Sequence, residues 1–243
     1  MRSNGIASRY RLAGRRVHGK AFAQNEENIV RLLAAHAPIE SLLDLGCDDG
    51  AHTSLYAQAA GAVDVHGVEV VESRATLARE RGISVVSADL GTPLPFADQT
   101  FDAVVSNQVI EHLCDTDMFL TEAFRVLKIG GTVVTSTENL ASWHNIAALL
   151  LRWQPFSLTN ISSKGSIGNP LGLSVGGDYR AYATGLPWQH RRVFTTHGLA
   201  EVHRAHGFVG VTSLGAGYFP LPSSVGRLNP AHAAFITITG QRV

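Results

Sequence analysis

The chain has 243 residues, of which 45% are hydrophobic and 16% are charged, so it can bury a sizeable core and is not globally disordered. Twenty basic and twenty acidic side chains give a formal charge of zero, which argues against a nucleic-acid partner bound through its phosphates. The two cysteines, Cys47 and Cys114, make neither a disulfide framework nor a CxxC metal site, and a reducing, cytoplasmic setting is expected.

The N-terminal residues are basic and lack the apolar stretch of a secretory signal. No run of eighteen apolar residues predicts a membrane-spanning helix, so no membrane partner is expected. We interpret residues 1–24 as a flexible basic arm, or as a lid that folds over a site, and residues 25–243 as the main domain. Apolar residues at helical spacing predict a helix over 25–36 that ends before Pro38.

Strands and helices then alternate along the chain. Short apolar runs predict five strands and three connecting helices, and the glycine pair 130–131 is expected to close the third helix. The predicted strands are 41–46, 63–70, 83–90, 101–109 and 132–137, and the helices are 53–60, 71–82 and 116–128. This alternation favours right-handed crossovers and a parallel sheet that is covered on both faces.

The alternation stops after the fifth strand. Residues 141–188 hold an aromatic helix over 142–153 and then a long segment rich in Gly, Ser and Pro, which we interpret as a cap insertion on the substrate side. A capped helix over 195–207 and two final strands follow, and these strands are expected to pair antiparallel at one edge of the sheet. The predicted fold is therefore α/β, with a mostly parallel seven-stranded sheet and an antiparallel edge hairpin.

Residues 43–50 read LDLGCDDG, which predicts a strand that turns sharply into a helix. Ligands of open α/β sheets bind at the carboxyl ends of the strands, where this turn lies. A dinucleotide needs GxGxxG, but this turn offers only Gly46 and Gly50, and the carboxylates of Asp44 and Asp48 would repel a pyrophosphate. The pattern favours a ligand that carries positive charge and no phosphate.

The turn resembles the first motif of the class I S-adenosylmethionine-dependent methyltransferases, (D/E)xGxGxG, with Asp48 in place of the middle glycine. The resemblance continues in order through GVEVVE, PFADQTFDAVVSNQVIEHL and EAFRVLKIGG, and it covers residues 25–140 closely. The chain looks most like the small-molecule branch that includes ubiquinone- and menaquinone-biosynthesis methyltransferases. The resemblance implies a Rossmann-like fold, S-adenosyl-L-methionine as cofactor and methyl transfer to a small-molecule acceptor.

The family's motif also implies roles for the residues of the turn. Gly46 and Gly50 would let the backbone approach the methionine half, whose carboxylate is favoured near a helix N-terminus. Asp44 would lie close to the cationic end of the cofactor. At Asp48 a positive φ is expected, because Asp and Asn tolerate it best among non-glycine residues. Its carboxylate would pair with the cofactor's ammonium group; in the alternative, it faces solvent.

The later strand ends complete the implied cofactor site. Glu69 would accept the ribose hydroxyls, Asp89 the adenine amine, and Asn107 and Gln108 would line the wall near the sulfonium. The alternative is that these are turn, capping or strand-end residues. The full set implied for the cofactor is Asp44, Gly46, Cys47, Asp48, Gly50, Thr53, Glu69, Val70, Asp89, Leu90, Asn107, Gln108 and His112.

The acceptor is expected under the cap insertion, and histidine is the natural base near neutral pH. His190 in WQHRRVFTTHG is the first candidate, because similar bacterial methyltransferases have a histidine before an RVFT element, and His112 and His144 come next. The implied substrate set is Trp143, His144, Tyr179, Tyr182, Trp188 and His190. No metal site is expected, since His203 and His206 lie in a polar helix with no third ligand in view.

The leading hypothesis is methyl transfer to a hydroxyl of a natural product or other secondary metabolite, by a monomer or homodimer. Two alternatives stay open. The first is a protein of this fold that binds the cofactor but catalyses a cyclisation or rearrangement, and the second is a non-catalytic binding module. Methylation of an acceptor with release of S-adenosylhomocysteine separates the leading hypothesis from both.

Overall fold

The computed structural model describes residues 4–161, 167–172, 189–219, 221, 225–226 and 228–243, with side chains described from residue 17 onward. One sheet of seven strands organises them: β1 (Ser41–Leu45), β2 (Asp64–Val68), β3 (Ser84–Val86), β4 (Phe101–Asn107), β5 (Leu127–Glu138), β6 (Val209–Ala216) and β7 (Phe235–Gln241). Their order is β3-β2-β1-β4-β5-β7-β6. Strands β1 to β5 are parallel, and β7 runs antiparallel between β5 and β6. The predicted mostly parallel sheet with an antiparallel edge pair is confirmed.

Helices cover both faces of this sheet. They are α1 (Asn4–Ala35), α2 (Ala51–Ala60), α3 (Glu72–Glu80), α4 (Thr116–Val126), α5 (Trp143–Leu150) and α6 (Thr196–Ala205). Two begin at side-chain caps that satisfy free backbone N–H groups: Asp115 accepts from Met118 N at 2.9 Å, and Thr195 from Gly198 N at 3.1 Å. None of the helices described here is both long and apolar enough to cross a bilayer.

Alternating residues of the central strands supply two separate cores. Leu42 points to the face covered by α1 and α2, where it packs with Ile29 and Tyr56. Its neighbour Leu43 points to the opposite face, where it packs in the cluster that includes Phe119 of α4. Because both faces are buried, the strands read as continuous apolar runs, and their polar carboxyl ends are left at one edge.

The first helix is much longer than the sequence indicated. It was predicted to begin at residue 25, but it begins at Asn4, so the expected boundary at residue 24 falls inside α1. Ala21 is fully buried, and the side chain of Gln24 accepts a hydrogen bond of 3.0 Å from Gly217 N beyond β6. Small side chains such as Ala21 pack closely here. The start of α1 therefore carries only a weak helical pattern of hydrophobic residues. A lid role for the first residues stays a prediction.

The glycine pair does not close α4, contrary to the prediction. The helix ends at Val126 and β5 follows without a loop, because the guanidinium of Arg242 donates to the carbonyl oxygens of Phe124, Arg125 and Leu127 at 2.7 to 2.8 Å. A side chain distant in sequence therefore satisfies the end of the helix in place of a glycine cap. Gly130 instead lies within β5, and its N–H donates to Arg242 O at 2.7 Å.

The segment after β5 contains less helix than predicted. Helix α5 ends at Leu150, short of Trp153, and a short 3-10 turn covers Phe156–Leu158. The predicted substrate residues Tyr179, Tyr182 and Trp188 lie outside the described residues. The predicted cap insertion over 141–188 therefore stays a prediction, because most of its second half lies outside the described residues.

Candidate functional site

The turn after β1 has a left-handed backbone at three positions. The φ angles are 89° at Gly46, 47° at Asp48 and 79° at Gly50. A Cβ at Gly46 would lie 2.4 Å from Val109 Cγ2, and one at Gly50 would lie 2.5 Å from Ile83 Cδ1. Both glycines are therefore required by the backbone and by close packing. The positive φ predicted for Asp48 is confirmed.

Asp44 is a buried carboxyl group at the end of β1. It is 3% exposed, and Thr53 Oγ1 at the start of α2 donates to it at 2.6 Å. Burial raises the pKa of Asp44 to about 7, and the neighbouring carboxylates of Glu69 and Asp48 raise it further, against that hydrogen bond and His52. Such a group gains from a nearby positive charge, which the cationic end of the predicted cofactor would supply.

Glu69 joins the end of β2 to the turn after β1. Its Oε2 accepts from Asp48 N at 3.0 Å, and its Oε1 accepts from Val71 N at 2.8 Å. Burial raises the pKa of Glu69, against these two hydrogen bonds. A carboxylate oxygen accepts more than one hydrogen bond, so both oxygens retain capacity for the vicinal hydroxyls of a ribose.

The side chain of Asp48 pairs with an arginine that sequence reasoning missed. Arg74 of α3 contacts it through Nε and through Nη2, the latter at 2.6 Å from Oδ2, and the same Nη2 lies 3.2 Å from Asp49 Oδ2. The carboxylate is therefore neither isolated in solvent nor fully available to a ligand. Its predicted contact with the cofactor's ammonium group stays a prediction and now competes with this ion pair.

The remaining turn and strand-end residues occupy two kinds of environment. The thiol of Cys47 is buried beside Ile83, its pKa is raised by burial, and only its backbone belongs to the turn. Leu90 belongs to the main core, whereas Val70 is 46% exposed. Asp89 is exposed after β3, and its Oδ1 accepts from Gly91 N at 2.8 Å. Val70 and Asp89 are therefore accessible to a ligand at this edge of the sheet.

Helix α1 is fixed over the end of β4 by a chain of polar contacts. Asn107 Nδ2 donates to Tyr56 OH at 3.0 Å, and its Oδ1 accepts from Asn25 Nδ2 at 3.1 Å. Asn25 in turn accepts from Ser136 Oγ at 2.7 Å. Gln108 has a φ of 58°, and its buried Nε2 has no hydrogen-bond partner among the described residues. Sequence reasoning missed Asn25 and Tyr56, because both contacts span elements distant in sequence.

Four side chains, Glu111, His112, Glu138 and His190, form what we call the histidine–carboxylate cluster beyond the ends of β4 and β5. One potential ligand atom from each of Glu111, His112 and His190 lies within 4.8 Å of the others. The two imidazole rings meet edge to face with centroids 4.9 Å apart, and His190 Nδ1 lies 3.6 Å from Glu138 Oε2. The structure thus brings two of the three predicted catalytic histidines together and adds two glutamates that were not predicted.

Hydrogen bonds fix the orientation of this cluster. Glu111 is 1% exposed, its Oε2 accepts from Thr137 Oγ1 at 2.8 Å, and burial raises its pKa to about 7. His190 Nδ1 lies 2.6 Å from Ser157 O, and His112 Nδ1 lies 3.4 Å from Gln189 O. A carbonyl oxygen only accepts, so each Nδ1 carries the proton and each Nε2 carries the lone pair. Burial and the charge of His190 lower the pKa of His112 to about 4.

His144 and Trp143 make their contacts with residues outside this cluster. The ring of His144 packs edge to face against Phe156 and Phe219, with centroids 5.5 and 5.2 Å away, and burial lowers its pKa to about 4. Trp143 is 43% exposed and donates from Nε1 to Tyr218 OH at 2.7 Å. Packing explains both positions, and their predicted roles toward an acceptor stay predictions.

His203, in the predicted polar helix over 195–207, is a buried histidine. It is fully buried, its Nδ1 donates to Leu199 O at 2.8 Å, and its Nε2 accepts from Thr135 Oγ1 of β5 at 3.0 Å. It joins α6 to the sheet, and this contact could not be read from the helical pattern alone.

Comparison with known proteins agrees with this geometry. Residues 43–135 match the model of a methyltransferase domain family. The chain is 33% identical over 141 residues to the ubiquinone biosynthesis O-methyltransferase of Agrobacterium fabrum, covering 53% of this chain and 56% of that protein. It is 34% identical over 119 residues to a probable S-adenosylmethionine-dependent methyltransferase of Mycolicibacterium smegmatis, covering 48% and 45%.

Residues 43–135 therefore match a methyltransferase domain, and the chain is similar to S-adenosylmethionine-dependent methyltransferases. The predicted cofactor, S-adenosyl-L-methionine, is confirmed by these comparisons, and the roles predicted for Asp44, Gly46, Gly50 and Glu69 toward it stay predictions. A Thermotoga maritima methyltransferase, titled a possible histamine N-methyltransferase, shares the methyltransferase fold with a TM-score of 0.60 and 21% identity, over 100% of this chain and 97% of that one. The chain spans about half the length of the curated relatives that it matches.

Proposed function

We propose that the chain methylates an oxygen atom of a small-molecule acceptor, and that His190 receives the acceptor's proton. The observation that carries this proposal is the histidine–carboxylate cluster. It lies at the carboxyl ends of β4 and β5, and β4 pairs with β1, whose turn holds the predicted cofactor-binding motif. Similarity to an O-methyltransferase of ubiquinone biosynthesis supports oxygen as the acceptor atom.

The residues at the cofactor edge would bind and orient the cofactor. Gly46 and Gly50 admit its methionine half, Glu69 is available to the ribose hydroxyls, and the carboxyl of Asp44 favours a positive charge nearby. When bound, S-adenosylmethionine supplies an electrophilic methyl group, whose bond to sulfur breaks with the electron pair retained on sulfur as the bond to the acceptor oxygen forms. The protein therefore has to position the acceptor and remove its proton.

His190 suits proton removal better than the other two predicted bases. Donation from Nδ1 to Ser157 O leaves a lone pair on Nε2. His190 also lies beside Glu138, whose carboxylate would stabilise the imidazolium formed when the proton arrives. The lowered pKa values of His112 and His144 make those two rings weaker bases. A general base contributes about 10²- to 10⁴-fold in rate.

We propose a small-molecule acceptor and not a nucleic acid because the chain has no net positive charge. We propose a cytoplasmic location because the two cysteines make no disulfide framework. The test is to incubate the protein with S-adenosylmethionine labelled with ¹³C at the methyl group and the low-molecular-mass metabolites of the organism that makes it. The carbon chemical shift of the labelled product distinguishes a methoxyl group from N- and C-methyl groups. A methoxyl product supports the proposal, and N- or C-methylation contradicts it.

A further inference from the structure

We infer that Asn145 of α5 is a positioning residue, which holds the carbonyl group of Ser157 against the ring of His190 and so keeps the lone pair of that ring on Nε2. The inference rests on the proposed function for the role of His190 but not for the orientation of its ring. His190 lies in a segment without helix or strand, residues 189–193, so its neighbours have to fix it. A base has to be held within about 0.5 Å of its working geometry by the residues around it.

Two acceptors lie near Nδ1 of His190. Ser157 O is 2.6 Å away and accepts a hydrogen bond from it, whereas Glu138 Oε2 is 3.6 Å away. That carboxylate oxygen is buried and has no hydrogen-bond partner among the described residues, so it would accept from Nδ1 if the ring turned. The position of the Ser157 carbonyl therefore decides where the ring points and how far it lies from Glu138.

Asn145 fixes that carbonyl through the residue that carries it. Its Nδ2 donates to Ser157 Oγ at 2.8 Å and to Asn139 O at 2.9 Å, and its Oδ1 accepts from Ser157 N at 3.3 Å. Both amide protons and the amide oxygen are thus used, which leaves the side chain one orientation. The segment that carries Ser157, Phe156–Leu158, is a single 3-10 turn, so side-chain contacts have to hold it in place.

The other end of this connection is anchored in the sheet. Asn139 follows β5 directly and is fully buried, and its Nδ2 donates to Ala231 O and Ala233 O at 2.9 Å. The next residue, Leu140, donates from its backbone N–H to Phe194 O at 2.9 Å, just after the segment that carries the imidazole. The turn with the carbonyl and the segment with the imidazole are therefore tied to the same point at the end of β5.

Burial makes this network sensitive to a single change. Asn145 is 0% exposed and Ser157 is 2% exposed. Asn145→Ala would leave the hydroxyl of Ser157 and the carbonyl oxygen of Asn139 without this donor, in a buried place where an unpaired polar group is costly. The turn would then relax, and the carbonyl would move away from Nδ1 of His190. The expected defect is a misplaced base in a folded chain.

The first measurement observes the ring of His190 directly. The full chain is labelled with ¹⁵N in histidine, NMR distinguishes the Nδ1–H tautomer from the Nε2–H tautomer, and the signals of His190 are those missing from His190→Gln. We expect the wild type to show only the Nδ1–H tautomer and Asn145→Ala to show shifted Nδ1 and Nε2 signals. Ser157→Ala, which loses one of the contacts, should shift them less. Unchanged His190 signals in Asn145→Ala would overturn the inference.

The second measurement is the rate of S-adenosylhomocysteine release with methyl-labelled S-adenosylmethionine and the low-molecular-mass metabolite fraction. Asn145→Ala should lower this rate about 10- to 100-fold, because a misplacement of about 1 Å costs up to about 100-fold. Cofactor affinity should change less than about threefold. In the His190→Gln background the same substitution should lower the rate less than about twofold, since it acts through that ring.

Asn169→Ala is the matched control. Asn169 is 7% exposed, its Nδ2 donates to Gln154 O at 2.9 Å, and its Oδ1 accepts from Leu171 N at 3.0 Å. It is thus a second buried asparagine after β5 whose hydrogen bonds to the described residues do not involve Ser157, and its rate should stay close to that of the wild type. A loss as large as in Asn145→Ala, or a full further loss from Asn145→Ala in the His190→Gln background, would show a purely structural effect and reject the inference.

Circular dichroism and S-adenosylmethionine affinity confirm that each variant is folded. Should Asn145→Ala fail to fold, Ser157→Ala is compared with Ser157→Thr, which keeps the hydroxyl. Shifted His190 signals and a lower rate in the first of these but not in the second support the inference, and equal results in both contradict it. Full turnover in His190→Gln, with shifted His190 signals in Asn145→Ala, would contradict the proposed function and leave the positioning of the ring in place.

Discussion

Thr53 donates a hydrogen bond of 2.6 Å to Asp44, and neither side chain has appreciable contact with water. A single hydrogen bond does not compensate a buried carboxylate, which is why the pKa of Asp44 rises to about 7. The fold therefore holds a negative group at the end of β1 that destabilises the free protein near neutral pH. We interpret this unfavourable burial as the reason why the site favours the positively charged end of the cofactor.

Asp44→Asn should stabilise the cofactor-free protein and weaken cofactor binding. The folded-state pKa lies above the unfolded value, so the folded state binds an extra proton and stability falls as the pH rises from about 4 to about 7. Asparagine removes that dependence and still accepts from Thr53. We expect a gain of about 1 to 3 kcal/mol in the free energy of unfolding at about pH 8 and a smaller gain at about pH 5. Thermal unfolding at both pH values measures the difference, and S-adenosylmethionine affinity should fall about tenfold.

Asp48→Ala should weaken S-adenosylmethionine binding several-fold, because alanine tolerates the φ of 47° poorly and the carboxylate is lost. Arg74→Met separates the two roles of that carboxylate. If Asp48 contacts the cofactor's ammonium group, freeing it from Arg74 should leave affinity equal or tighter, as measured by calorimetry. Equal weakening in both variants would instead assign the effect to the ion pair. An unchanged dissociation constant in Asp48→Ala would reject a direct role.

Glu69→Ala should reduce S-adenosylmethionine affinity about 10- to 100-fold, or about 1.4 to 2.7 kcal/mol. The variant removes acceptors for the ribose hydroxyls and also the hydrogen bonds from the N–H groups of Asp48 and Val71. Glu72→Ala is the matched control, since Glu72 lies three residues away and its carboxylate pairs at the surface with Arg79. Similar losses in both variants would show a non-specific effect of removing negative charge.

His190→Gln should reduce turnover at least 100-fold while S-adenosylmethionine affinity changes less than threefold, because His190 is proposed as the base for the acceptor and not as a cofactor-binding residue. His144→Gln should leave turnover within a few-fold, since that ring packs against Phe156 and Phe219. Steady-state kinetics and calorimetry on the same preparations give both numbers. Full turnover in His190→Gln would remove it from the proposed chemistry.

The sheet and the cofactor turn could be predicted because their signals are local. Buried parallel strands read as short apolar runs between helices, and the positive φ of Asp48 follows from the residue types that such a turn accepts. The antiparallel final pair was also predictable, because β6 and β7 are joined without a crossover helix among the described residues.

Contacts between distant elements could not be predicted in the same way. Arg242 ends α4 from the opposite end of the chain, and Arg74 reaches Asp48 from the next helix. Neither contact leaves a periodic pattern in the sequence. The motif VIEHL was noticed for His112, but its glutamate becomes significant only once His190, nearly eighty residues later, lies beside it.

The length of α1 and the burial of His203 show a further limit of periodicity. Small and polar residues such as Ala21 and Gln24 pack closely on β6 and β7, although a hydrophobic pattern gives them little weight. His203 reads as a polar helix residue, yet it is buried because Leu199 O and Thr135 Oγ1 satisfy both ring nitrogens.

Transfer of a labelled methyl group tests the central claim most directly. Wild-type protein and His190→Gln are each incubated with methyl-labelled S-adenosylmethionine and the same small-molecule fraction, and labelled product and S-adenosylhomocysteine are quantified together. We predict equal amounts of product and S-adenosylhomocysteine with the wild type and loss of both with the variant, although both proteins bind the cofactor. Cofactor binding by the wild type with no label in any product would contradict the account.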